Sequence, residues 1–207
     1  MKKMDNTFLD QSTEEKIKQS AEKVFMEKGF FGARTRDIAK DAGINLALVN
    51  YYFRSKENLF KIIMEEKLGV FFGFVIEILE NPEKTLPEKI KILVNKYTDM
   101  LISLPDLPMF ILNEIKQNPK FFEERLRVKE PVNNGFATLL QANNFSSKEE
   151  LMQVVLTLLG MTLFPFIAKD VVTNLLNFSP EDYYKMLNKR RELIPVWMEE
   201  ILKIQQK

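Results

Sequence analysis

The 207-residue chain contains no cysteine and no histidine. Without cysteine there are no disulfides and no thiolate metal sites, which fits a reducing cytoplasm. Without histidine, the chain loses the side chain that most often serves as general base or metal ligand near neutral pH. A Gly-rich phosphate loop, a metal-ligand spacing and a nucleophile motif are missing too, so an enzyme reading has nothing to rest on and no cofactor is expected. Carboxylates alone are not a site; Glu114, Glu123 and Glu124 read as solvated helix positions. Charge of one sign is also lacking, because 30 Lys and Arg against 29 Asp and Glu leave a formal +1. There is thus no global basic field of the kind a nonspecific nucleic-acid coat protein carries. Met1 to Asp10 have no apolar signal-peptide core, and no uninterrupted run approaches the roughly 20 residues that span a bilayer. The expectation is a cytoplasmic protein with no membrane partner. No run of alternating β-branched residues lies between hairpin turns, so strands are not expected.

What is present is helix after helix. Hydrophobic residues make up 45% of the chain, enough for a sizeable core, and the length suits one small helical domain joined to a larger one. The most informative stretch is 33–56, ARTRDIAKDAGINLALVNYYFRSK. Ile38, Ala39 and Ala42 form a narrow apolar stripe between Asp37, Lys40 and Asp41. Gly43 stands where a left-handed residue ends such a helix, and Asn45 can cap the next one. Two short helices separated by so few residues match a helix-turn-helix, whose second helix enters a DNA major groove.

That second helix, about Leu46 to Phe53, distributes its residues oddly for a surface helix. Val49, Tyr52 and Phe53 can pack inward, while Leu46, Ala47, Leu48, Asn50 and Tyr51 occupy the side where Lys and Glu would be expected. Asn50 can pair with an adenine edge, Ala47 or Leu48 can meet a thymine methyl, and Tyr51 can reach base or phosphate. Lys56 suits a phosphate contact. Ser55 can N-cap the following helix, with Asn58 at the position where a complete capping box has Glu or Gln. With so little net charge, binding must rely on local placement: Lys2, Lys3, Arg34, Arg36, Lys40, Arg54 and Lys56 can form a cationic rim, with Asp37, Asp41 and Glu57 among them. A helical hairpin that contacts protein and has no sequence preference on DNA is the competing reading.

The region from Thr13 to Phe60 resembles the DNA-binding domain of the TetR/AcrR family of bacterial transcriptional regulators. The resemblance is carried by Ile17, Ala21, Val24 and Phe25 at amphipathic spacing, the turn Lys28-Gly29-Phe30 and the run Arg36-Asp37-Ile38-Ala39. It continues through Ala42-Gly43-Ile44 and the segment Tyr51 to Phe60. It implies an all-α fold: an N-terminal three-helix helix-turn-helix domain (10–55) plus a C-terminal helical ligand-binding and dimerisation domain (56–207). By matching position it implies DNA contacts from Arg34, Thr35, Asn45, Leu46, Ala47, Leu48, Asn50, Tyr51, Tyr52 and Lys56, with Tyr52 shared between groove and core. Two departures stand out. Ala33 and Arg34 replace the Thr or Ser pair that often opens the second helix, and Asn50 stands where the family often has Tyr, so the operator sequence should differ.

Beyond Ser55 the expected helices are 56–80, ended by Asn81-Pro82; 87–103; 107–117; 119–142, kinked at Pro131; 147–168; a short one near 170–177; and 180–204. The segment after Ser147 is apolar nearly all round. That pattern fits one face on the subunit core and another on a partner, although burial inside a monomer gives it as well. The resemblance implies a homodimer through the last two long helices, with Leu158, Thr162, Phe166, Ile194, Trp197 and Met198 as interface residues. An excess of Phe and Met in the middle helices mostly fills cores. The resemblance implies an effector pocket there for a small apolar or aromatic molecule, with Phe72, Met100, Phe110, Phe121, Phe136 and Met161 as candidates. The resemblance implies a ligand-responsive repressor whose partners are a double-stranded, palindromic DNA operator, a small-molecule effector whose binding releases that operator, and a second copy of the chain.

Overall fold

In the computed structural model the described residues are 3–117, 119, 129–142 and 145–205, with the side chains at 3–11, 129–133, 136, 142 and 205 outside the description. They form an all-α protein with no strand among them. In chain order the helices are α1 (Lys3–Gly32), α2 (Thr35–Asp41), α3 (Leu46–Phe53), α4 (Lys56–Glu80), α5 (Leu86–Ser103), α6 (Leu107–Gln117), α7 (Lys129–Ala142), α8 (Lys148–Ile167), one π-helical turn (Val171–Leu175) and α9 (Pro180–Gln205). The expected helix 119–142 is represented among described residues only by α7, whose first turn contains Pro131. The kink expected at Pro131 depends on residues 120–128, which lie outside the described residues.

The chain divides into two compact units, Met1–Val70 with Phe110–Pro119, and Phe71–Met109 with Lys120–Lys207. In the first, Ile17, Ala21, Phe25, Ile38, Val49, Phe53, Leu59 and Ile63 are buried to 2% exposure or less. Aromatic edges hold this core together: Phe60 meets Phe25 at 5.0 Å, Phe30 at 4.8 Å and Phe110 at 6.4 Å. α1 departs from helical geometry at Gly29 (φ 65, ψ 175), a conformation that favours glycine. Beside it lies Glu114, which is 0% exposed and accepts a hydrogen bond from the Phe30 N–H at 3.1 Å. This corrects the sequence expectation for Glu114, since a carboxylate on an exposed-looking helix is buried because α6 lays it on the backbone opened at the Gly29 bend. Glu123 and Glu124 lie outside the described residues.

In the second unit α5, α8 and α9 share a core of Ile90, Val94, Val154, Ile194, Met198 and Leu202. Two polar contacts tie α8 to α9, and both follow from one proline. Pro165 has no N–H to give the carbonyl four residues earlier, Met161; the Arg190 guanidinium donates to that carbonyl instead, at 2.9 Å. α8 ends two residues after Pro165, leaving the proline's own carbonyl without a helical partner, and the Tyr183 hydroxyl donates to it at 3.0 Å. Burial pushes the Tyr183 phenol up to about 12, so it stays a donor across the working pH range. Contrary to the expectation from sequence, α8 is long and apolar enough, by length and composition only, to cross a membrane: 20 residues with mean hydropathy 1.7. Its Leu151, Val154 and Phe166 are buried in this unit, as a core helix requires.

Candidate nucleic-acid interface

The α2–α3 turn is built by local hydrogen bonds that the sequence specifies. Gly43 has φ 66, and its N–H donates to Lys40 O at 3.2 Å while the Ile44 N–H donates to Ala39 O at 3.0 Å. These are the two bonds of a Schellman motif, which needs a left-handed residue at Gly43. Two residues on, the Asn45 side-chain oxygen accepts the Ala47 N–H at 2.9 Å and starts α3. The N-cap of α2 is Arg34, whose side chain makes no capping bond, as expected for a residue standing in place of Thr or Ser.

α3 buries only Val49 and Phe53. Leu46 and Tyr52 are half-buried, whereas Ala47, Leu48, Asn50 and Tyr51 face solvent, Leu48 at 40% and Tyr51 at 76% exposure. Tyr51 and Tyr52 rings meet edge to face at 5.3 Å, which fixes how Tyr51 projects. Of the other nominated residues, Arg34 and Asn45 are exposed and Thr35 is half-buried. Lys56 differs. Its ammonium donates to Phe30 O at 2.9 Å and Ala33 O at 3.2 Å and lies 4.3 Å from the Phe30 ring centre. Two of its three N–H groups thus tie the start of α4 to the end of α1, leaving one for a phosphate.

Two of the acidic residues among the cationic rim are neutralised by lysines of α1. Lys28 pairs with Asp37 at 2.8 Å and Lys23 with Asp41 at 2.6 Å, and these ammonium groups hold both carboxyls below the usual carboxylate range. Arg36, Lys40 and Arg54 form no ion pair among the described residues and are exposed. Ser55 caps α4 by accepting the Asn58 N–H at 3.1 Å, while the Asn58 amide donates to Phe53 O at 3.2 Å; the capping box is incomplete because the Ser55 N–H donates to Phe53 O at 2.7 Å.

The second unit encloses a cavity of about 200 Å3 whose lining includes Phe72, Val75, Ile76 and Leu79 of α4, Leu86, Lys89, Leu93 and Tyr97 of α5, Leu139 of α7, and Leu151, Leu158 and Leu159 of α8. Phe72 is the one nominated effector residue that lines it. Met100 and Met161 do not, Phe110 packs on Phe60 in the first unit, and Phe121 and the Phe136 side chain lie outside the described residues. Of the nominated interface residues, Thr162, Phe166, Ile194 and Met198 are buried within the unit itself, Leu158 lines the cavity, and Trp197 is exposed at 37%. The exposed apolar groups on these helices are Met152, Leu156 and Phe164 of α8 and Val196, Trp197 and Ile204 of α9.

A recessed three-helix core presenting an apolar and amide-bearing helix after a glycine turn defines a helix-turn-helix DNA-binding protein. Residues 17–63 match the family model described as bacterial regulatory proteins, tetR family. It is 24% identical over 203 residues to "Probable HTH-type transcriptional regulator YttP" of Bacillus subtilis (strain 168), covering 93% of this chain and 95% of that protein. It is 24% identical over 181 residues to the fatty acid metabolism regulator protein of the same organism, covering 86% and 91%. Its fold is shared by the Streptomyces coelicolor protein SCO4942, at TM-score 0.66 and 18% identity over 91% of this chain and 97% of that one. The chain is thus a DNA-binding transcriptional regulator.

Proposed function

We propose that the protein is a ligand-responsive repressor: a cytoplasmic homodimer whose two α3 helices hold a palindromic operator and release it when an apolar effector enters the cavity of the second unit. The observation that carries the proposal is the exposed side of α3, where Ala47, Leu48, Asn50 and Tyr51 face solvent, Tyr51 at 76% exposure. Asn50 and Tyr51 read bases, Ala47 and Leu48 meet thymine methyls, and Arg34, Thr35, Asn45 and the remaining N–H of Lys56 position the backbone. Leu46 and Tyr52 pack with one edge and touch DNA with the other.

The cavity supports an aliphatic effector, because its walls are almost wholly hydrocarbon and a relative of similar length is a fatty acid metabolism regulator. α4 supplies part of those walls through Phe72, Val75, Ile76 and Leu79, and the same helix begins at Lys56, with only Arg54 and Ser55 between it and the end of α3. An effector that binds better when α4 is displaced shifts the DNA equilibrium by its difference in affinity between the two states. For dimerisation we assign the exposed stripe of Met152, Leu156 and Phe164, at spacings of four and eight along α8, with Val196, Trp197 and Ile204 of α9. Selection from a random duplex library tests the reading: recovery of a palindromic site with half-sites about one helical turn apart is expected, and a library that emerges unenriched overturns it.

A further inference from the structure

The cavity wall has one charged member. Lys89 is 6% exposed, its stem lies among Leu86, Leu93 and Leu79, and its ammonium donates a single hydrogen bond, 2.6 Å to the Leu79 carbonyl near the end of α4. An ammonium carries three donors, so two remain, and no carboxylate pairs with it among the described residues. The other polar lining group, Tyr97, is already committed: its hydroxyl donates to Phe71 O at 3.0 Å, and burial raises its phenol so that the proton stays. Every remaining lining side chain is hydrocarbon. The lysine lines the cavity through its hydrocarbon stem, and the ammonium at the end of that stem is the one charge carried by a lining residue.

Resting on the effector-cavity reading above, we infer that the effector is a straight-chain aliphatic carboxylate whose tail fills the cavity and whose head pairs with Lys89. The volume sets the chain length. An engineered cavity of roughly 150 Å3 takes benzene, and by the same proportion 200 Å3 suits a tail of about eight carbons. The head would sit beside the first turn of α5, where Lys89 and Leu86 both reach the cavity and where the helix dipole favours negative charge. A capping role alone, holding the end of α4 through Leu79 O, would make Lys89 indifferent to the head group.

Calorimetry with octanoate, 1-octanol and methyl octanoate separates these roles. Wild-type protein is expected to bind octanoate at least about tenfold tighter than either neutral analogue, the difference a charge-assisted hydrogen bond supplies. Lys89→Met is expected to bring octanoate down to the level of octanol while leaving octanol binding in place, and Lys89→Arg to keep the preference. If Lys89→Met does not fold, the three-ligand comparison on wild type and Lys89→Arg decides alone. Equal binding of acid and alcohol by wild type, or a preference that survives Lys89→Met, overturns the carboxylate assignment and leaves the apolar cavity standing. Failure of all three ligands to bind overturns both.

Discussion

The proline in α8 allows a test of how this subunit is held together. Met161 O would receive the N–H of residue 165 in an ordinary helix; with Pro165 there, it receives Arg190 at 2.9 Å. Arg190→Met keeps the stem and removes the donor, leaving a carbonyl that neither helix nor water serves well. Hydrogen bonds from charged groups contribute about 1.5–3 kcal/mol, and because Arg190 is only half-buried the lower end, about 1.5 kcal/mol, is the expected loss. Loss of the guanidinium from the Trp197 ring, 5.5 Å away, adds a smaller cost of about 0.5 kcal/mol. In a Pro165→Ala background the new N–H at 165 satisfies Met161 O, so the same Arg190→Met change should cost only the ring contribution. The coupling between the two substitutions is then about 1 kcal/mol or more, with the double variant better than the sum of the singles. Urea unfolding of the four proteins at one fixed protein concentration measures it, the concentration being held because dimerisation shifts apparent stability. Additive costs within about 0.3 kcal/mol would show that Arg190 does not serve the carbonyl the proline leaves free.

Three further outcomes follow from the first unit. Asn50→Ala and Tyr51→Ala should each weaken binding to a selected operator by about tenfold or more per half-site while leaving the melting temperature unchanged, measured by gel shift; unaltered affinity for every duplex removes the base-reading role of α3. Gly43→Ala should destabilise the protein by about 1 kcal/mol in urea, with Gly43→Asn milder, because φ is 66 and a Cβ there meets open space, so the cost is purely backbone. Asp37 and Asp41 have folded pKa values depressed by Lys28 and Lys23. Their contribution is present above the ordinary carboxylate pKa of about 4 and is lost as pH falls through the lower folded values, so Lys23→Met with Lys28→Met should make stability less dependent on pH below about 4, a difference acid titration by circular dichroism detects.

The helix boundaries and the α2–α3 turn were legible because their determinants are local. Gly43, Asn45, Ser55, Asn81-Pro82 and Ser147 act within three or four residues of themselves, and each stop or cap falls where its chemistry demands. The partners of Lys56 and Glu114 were not legible, because both are set by the Phe30 segment 26 and 84 residues away in the chain. Nor does spacing tell which side of an all-round apolar helix meets its own core. In α8 Val154 and Phe166 lie inward while Leu156 and Phe164 lie outward, and no periodicity argument distinguishes these from the reverse. Lys89 was passed over for a related reason: a lysine on an amphipathic helix reads as solvated until the neighbouring helix end is seen to lie over it.

Arg54 bears on how the DNA-reading helix is tied to the rest of the chain. It has φ 64 and ψ −47, and the Ser55 N–H donates across it to Phe53 O at 2.7 Å, a γ-turn in a non-glycine residue. Such a conformation costs on the order of 1–3 kcal/mol and persists only where its surroundings enforce it. Here they do: Asn58 donates to Phe53 O, the Leu59 N–H donates to Ser55 O at 3.1 Å, and Lys56 grips the last turn of α1 through Phe30 O and Ala33 O. The strain yields the shortest link between α3 and α4, with no glycine to act as a hinge. Bending at Arg54 would break these contacts, so the turn ties the start of α4 to α3 and to the end of α1.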